Sequence, residues 1–233
     1  MMDIVKNDLI KKGNFMKINE GYSIISRIPA KTFGELFTPI QMKDIRKNKG
    51  KTGQLLETAI LHLGLSSKHL DFEDGELKSN KVKADGSPDE TMFICQISKM
   101  FDTLMEEQFD PRTTDIYDKI RHMIYVAVDK SSKDETNWKI HHCKLVHETD
   151  TRYQNFYNQC AADILTIFRQ VRDNLKDPSK MLHTTNGKYL QIRTKDSQPY
   201  HPIFSNTFSR YVSDKNFAIY MTKEGIRALN GVD

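Results

Sequence analysis

The chain has 233 residues, 38% of them hydrophobic and 28% charged, and its 35 Lys and Arg against 31 Asp and Glu leave a net charge of only +4. That balance excludes a uniformly basic polyanion binder, so charge can carry meaning here only where it clusters. The 3 cysteines, Cys95, Cys143 and Cys160, form no CxxC pair, and no apolar run suits a signal peptide or a membrane span; these features exclude a disulfide framework and imply a soluble protein of a reducing, cytoplasmic compartment with no membrane partner.

Residues 1–48 carry scattered basic residues, with Pro29 and Pro39 as punctuation, and read as two short helices. Lys43, Arg46, Lys47, Lys49 and Lys51 form a basic run suited to phosphate contacts, though such runs also serve as solvated faces. Thr52 then reads as the cap of a helix whose Leu55, Leu56, Ala59, Ile60 and Leu63 follow the 3.6-residue period until Gly64 stops it. Glu57 lies beside that apolar stripe, not opposite it.

Strands are predicted over 75–83, 91–97 and 123–128, with another over 138–145. The turn Asp85-Gly86-Ser87-Pro88 predicts that the first two form an antiparallel hairpin. A long helix is expected over 151–175, with Tyr153, Phe156, Tyr157, Cys160, Ile164, Phe168, Val171 and Leu175 on its buried side and Asp177-Pro178 ending it. Two more strands, over 188–194 and 217–221, complete a mixed α/β order. Nothing resembles a detachable linker. The chain reads as a single domain over 1–233, made of a helical part (1–48), a central core (49–145) and a helix with further strands (146–233).

Within the strand over 75–83, alternation puts Glu76 and Lys78 on one face while Leu77 points to the core. Asp71 sits just upstream. Two carboxylates can hold Mg²⁺ through hard oxygen ligands, and a neighbouring lysine can orient or deprotonate an attacking water. Phosphodiester hydrolysis needs that set, and Asp-x4-Glu-x-Lys is a compact form of the PD-(D/E)xK nuclease signature. The triplet alone is short enough to arise as a solvated strand face.

Farther along, Leu190 and Ile192 should face inward while Tyr189, Gln191, Arg193 and Lys195 share the outer face. Arg and Lys donors in a row suit guanine edges or phosphates, although an ordinary amphipathic edge strand has the same pattern. His141-His142-Cys143 with His147 matches no closed zinc set, and neighbours on a strand should point apart.

Several segments in order, KGKTGQLLETAILHLG (49–64), DFEDGELK (71–78), ETMFIC (90–95) and GKYLQIRTKDS (187–197), with Lys31-Thr-Phe-Gly-Glu-Leu36 before them, resemble the MutH mismatch-repair endonucleases and the related GATC-cutting type II restriction enzymes. The resemblance covers most of residues 31–222. It implies a restriction-endonuclease-like α/β fold, a mixed β-sheet flanked by helices, with two lobes forming a cleft around double-stranded DNA. By motif, Asp71 and Glu76 become metal ligands for Mg²⁺, with Mn²⁺ able to substitute, and Lys78 the water-orienting group. Glu57 would face the same metals, and Lys119 falls where the family has a lysine near the catalytic centre. Phe93 and Tyr220 fall where the family places residues near the target bases; pattern alone makes each a core aromatic. The loop between Asp71 and Glu76 is shorter than in the mismatch-repair enzyme, so Asp74 competes for the role of first acid.

The expected activity is therefore site-specific DNA cleavage at GATC by a type II restriction enzyme. A strand-nicking mismatch-repair enzyme is the nearest alternative, and a non-cleaving DNA-binding module is one of another class. A second copy of the chain or a mismatch-repair activator would be the further partner.

Overall fold

The computed structural model describes residues 16–48, 50–63 and 70–231, and Lys49 and Gly64 lie outside that set. The first stretch forms three short helices, one more than expected: α1 (Ile18–Ile25), α2 (Phe33–Leu36) and α3 (Pro39–Met42). Part of the N-terminal motif is a capping device. The Glu35 carboxylate accepts from the Thr32 N–H at 2.7 Å and the Thr32 hydroxyl at 2.9 Å, closing a capping box on α2.

The next helix departs from the sequence reading at both ends. Gly50 holds the N-cap position of α4 (Lys51–Leu55), and Thr52 sits inside the helix, 2% exposed. After Leu55 the chain widens into a π-helical turn, Leu56–Ile60. One extra residue per turn breaks the 3.6-residue register. Leu55 and Leu56 are buried, whereas Ala59, Ile60 and Leu63 are only half-buried.

The fold is mixed α/β, with helices flanking several sheets. In the first sheet, β1 (Glu76–Val82) pairs in parallel with β3 (His122–Asp129), which pairs antiparallel with β4 (Lys139–His147). The predicted hairpin is corrected here. Its turn forms locally, with Gly86 at φ +80° and an isolated bridge from Val82 to Pro88. Beyond it the chain leaves β1 altogether, and β2 (Met92–Gln96) joins a second sheet instead. That sheet runs in the order β2, β9 (Phe217–Met221), β6 (Leu190–Thr194), β5 (Thr185–Asn186), all antiparallel. A hairpin of β7 (Ile203–Ser205) and β8 (Arg210–Ser213) stands apart. Alternation alone does not say which strand is the partner, and β1 finds a long apolar one in β3, whose residues from Met123 to Asp129 are all buried.

The first sheet separates two hydrophobic cores. Leu77, Ile124, Val126 and Val128 pack with α1, α2 and Trp138 on one side. Val82, Met123, Tyr125 and Ala127 pack on the other with Ile192, Ile219 and α7 (Gln154–Leu175). A single 3₁₀ turn, Thr151–Tyr153, precedes α7, and its predicted apolar stripe is buried throughout, as expected. Buried side chains of that size each contribute roughly 1.5–3 kcal/mol. The shorter helices α5 (Phe101–Leu104) and α6 (Asp115–Arg121) add Phe101, Ile116 and Ile120 to the second core, and α8 (Lys223–Asn230) adds Ile226 and Leu229. Among the described residues, no helix is long and apolar enough to cross a membrane.

Candidate active site

Strand alternation sends Leu77 into the first core and turns Glu76, Lys78 and Asn80 to the opposite face of β1, where all three are buried. The Lys78 ammonium donates to Glu76 Oε1 at 2.6 Å. Lys119, projecting from the last turn of α6, reaches the same carboxylate and lies 3.1 Å from Oε1 and 3.0 Å from Oε2.

Asp71 approaches from the loop that leads into β1. Its N–H donates to Glu76 Oε2 at 3.2 Å, and its own Oδ2 accepts from the Leu77 N–H at 2.9 Å. These two bonds close the loop from both ends. Gly75 makes the closure possible: a Cβ there would meet the His122 carbonyl oxygen at 2.7 Å. Asp74 is turned away, its Oδ1 accepting from the Ile18 N–H at 2.9 Å in front of α1. Of the two competing acids, Asp71 is the one beside Glu76.

Glu57 comes from the π turn after α4. Burial pushes its carboxyl up to about 7, and the neighbouring Asp71 adds to the shift. The Asp71 carboxyl is likewise raised, first by burial and then by Glu76. Three carboxylates and two ammonium groups therefore occupy one electrostatic neighbourhood, and the acids repel one another despite the lysines. A hard divalent cation would relieve that repulsion and takes oxygen ligands of this type, so the donor set fits one. About four acceptor positions exist on a carboxylate. In Glu76 all are taken, by Lys78, by both contacts of Lys119 and by the Asp71 N–H. An entering cation must displace one donor, and Lys119 can give up one oxygen while keeping the other.

The second sheet presents the remaining predicted residues. Phe93, Tyr220 and Gln191 stand in register across β2, β9 and β6, on the face away from Leu190 and Ile192. Phe93 and Tyr220 meet edge to face at 5.7 Å; Phe93 is 39% exposed and Tyr220 only 6%. The Arg193 guanidinium lies 4.0 Å from the centre of the Tyr220 ring, and the Lys195 ammonium 5.7 Å from that of Phe93. Gln191, Arg193 and Lys195 thus form a row around two aromatic rings, the first two half-buried and Lys195 exposed. Tyr189 is corrected: it stacks on Phe156 at 5.8 Å and packs against the core instead of joining the row. β2 links both regions, since Cys95 on the same strand lies in the field of Lys78 and Lys119.

The basic run divides. Arg46 is drawn to Glu135 at 2.6 Å and Lys47 to Asp44 at 3.5 Å, whereas Lys51 stands half-buried in the first turn of α4. Lys49 lies outside the described residues. Neighbouring histidines were expected to point apart, but a bulge in β4 brings His141 Nδ1 within 2.8 Å of His142 Nδ1. No group of three or more His, Cys, Asp or Glu residues stands ready as a metal cage among the described residues.

Three polar residues at this level escaped the sequence reading. Asn80 continues the alternation of Glu76 and Lys78, and its amide donates to the Glu90 carbonyl at 3.1 Å, tying β1 to the approach of β2. Asp163 is an acid within the apolar stripe of α7, 3% exposed. Lys130 closes the apolar run of β3. In each case the signal was a polar side chain at a position the local period assigns to the interior. Compared with models of known protein families and with curated proteins, the chain matches none. The resemblance to the MutH group therefore rests on its motifs and their order.

Proposed function

We propose that the chain is a Mg²⁺-dependent endonuclease that hydrolyses phosphodiester bonds of double-stranded DNA at GATC, as a type II restriction enzyme. The observation that carries this reading is the convergence of Glu57, Asp71, Glu76, Lys78 and Lys119, drawn from four segments, around the start of β1. A solvated strand face would leave Glu76 and Lys78 exposed, whereas they are 3% and 9% exposed. In this reading the two cores are the lobes of a restriction-endonuclease-like fold with DNA in the cleft between them.

Asp71 and Glu76 would hold the Mg²⁺ or Mn²⁺, with Glu57 beside them; the bound ion supplies Lewis acidity and lowers the pKa of water. Glu57, beside the two ligands, would accept a proton from the attacking water. Lys78 orients that water, and Lys119 offsets the charge that builds on the scissile phosphate. Gln191, Arg193 and Lys195 meet base edges and phosphates, while Phe93 and Tyr220 offer flat apolar surfaces to the target bases. The GATC sequence itself comes from the family resemblance.

The test is incubation of the purified protein with unmethylated plasmid and Mg²⁺. Cutting near GATC supports the reading, and intact plasmid at every salt concentration defeats it. One chain contributes one such site among the described residues, so a monomer would cut one strand per encounter. Open-circular product in place of linear would favour the nicking alternative, and running the assay with and without a mismatch-repair activator separates the two.

A further inference from the structure

Lys130 directly follows β3 and sends its side chain towards α4, where its ammonium donates to the Thr52 hydroxyl at 2.7 Å. The same ammonium lies 4.9 Å from the centre of the Trp138 ring. Among the described residues, no carboxylate lies within ion-pair distance of it. A half-buried cation with only a hydroxyl and a ring for company is held at a cost in desolvation, which structural lysines ordinarily offset with an acid. Glu90 acts on it only through space, without an ion pair among the described residues, and Asp129 and Glu135 make their bonds to Ser131 and Arg46. Thr52 shares a short helix with Lys51, and the chain runs from it through Gly53, which lies beside Glu57, into the candidate active site.

From this geometry we infer that Lys130, positioned by the buried Thr52 hydroxyl, is a backbone-phosphate contact for the DNA strand entering the site over the first turn of α4. The inference rests on the nuclease reading and deepens it, naming a phosphodiester contact away from the scissile bond. The Lys130 ammonium keeps further N–H donors for a phosphate oxygen, while Thr52, buried in α4, positions the ammonium and does not itself meet the ligand. The Trp138 ring faces the ammonium itself, a cation–π partner weaker than the charged oxygen of a phosphate. Burial also lowers the Lys130 ammonium to about 8, the direction that an added phosphate would reverse.

The experiment compares native protein with Lys130→Met for binding to a short GATC-containing duplex, with Ca²⁺ in place of Mg²⁺ to prevent cutting, across a salt series. The expected result is a several-fold loss of affinity, a salt slope shallower by about one, and a thermal midpoint equal to or above the native one. Lys130→Gln is a second neutral variant, and Lys130→Arg should keep the native slope. An unchanged affinity and slope in both neutral variants overturns the inference. So does failure of both to fold, which would make the ammonium a structural prop. If native protein shows no duplex binding, the nuclease reading itself fails first, and the two failures are thereby told apart.

Discussion

Glu76 and Lys78, two residues apart on β1, close a 2.6 Å ion pair in which both partners are almost wholly buried. Buried pairs of this kind seldom improve stability over an apolar pair of the same volume. Their retention here, with Lys119 added to the same carboxylate, is better explained by chemistry than by folding. The same arrangement gives a direct mutational test. In Lys78→Ala, Glu76 keeps Lys119 and the Asp71 N–H, so the loss of stability should be modest, about 1–2 kcal/mol. Removing Lys119 as well leaves the carboxylate without a cation and should cost more than the two single losses combined. Denaturant melts of the two single variants and the double variant measure this coupling. Cleavage by Lys78→Ala should fall by roughly 10²–10⁴-fold with DNA binding nearly intact, and equal losses of both would contradict the assigned role.

Lys119 also competes with any divalent ion for Glu76, since it spans both oxygens. Lys119→Met should therefore tighten Ca²⁺ or Mg²⁺ binding in calorimetry while slowing cleavage. Weaker ion binding in that variant would show the lysine to be holding the carboxylates in place.

The pH dependence follows from Glu57. Its folded carboxyl sits at about 7 against an ordinary value of 4.5, so the metal-free fold binds the proton more tightly than the unfolded chain does. Stability from this group is complete below the ordinary value and is lost as pH rises through 7. Glu57→Gln should remove that slope and stabilise the metal-free protein at pH 8 by on the order of 1–2 kcal/mol, the partial exposure of Glu57 having been discounted. Thermal melts from pH 5 to pH 8, with and without Mg²⁺, check the sign; added Mg²⁺ should flatten the native slope by favouring the ionised acids.

Much of this site was legible in the sequence because strand alternation is strict. Glu76-Leu77-Lys78 could face only two ways, and Leu77 decided which. The row Gln191, Arg193, Lys195 followed from the same rule. Pairing is not legible: period 2 describes a strand's faces but not its neighbours, and β2 lies beside β9 although the turn at 85–88 suits a hairpin with β1. The π turn was hidden for a similar reason, because Leu55 through Leu63 satisfies a regular helix on paper. Tyr189 escaped because it precedes β6, where alternation no longer binds and Phe156 offers a stacking partner.

The Arg193 guanidinium lies 4.0 Å from the centre of the Tyr220 ring, and among the described residues no carboxylate pairs with it. A lysine has no planar group to stack or to fork onto a guanine, so Arg193→Lys should not restore function. Both Arg193→Lys and Arg193→Ala should lose about 1–3 kcal/mol of discrimination between GATC and a single-base variant, read from paired binding curves. A uniform loss on all sequences would move Arg193 from base reading to phosphate contact.

The row also depends on a buried acid far from any chemistry. Asp163 on α7 accepts from the N–H groups of Lys188 at 3.1 Å and Leu190 at 2.8 Å, from the Tyr189 N–H, and from the Gln159 amide at 2.8 Å. Gly187 lets the chain come this close, since a Cβ there would meet Asp163 Cγ at 2.6 Å. Asp163→Ala strands three backbone donors at the entry to β6 and should cost about 2–5 kcal/mol; Gly187→Ala, which forces the clamp apart, should cost about 1–3 kcal/mol. Because the clamp sets where β6 begins, Gly187→Ala should also weaken duplex binding while leaving the pH dependence of residual cleavage unchanged, since Glu57 lies on another element. A shifted pH profile in that variant would mean that the clamp reaches the active site itself.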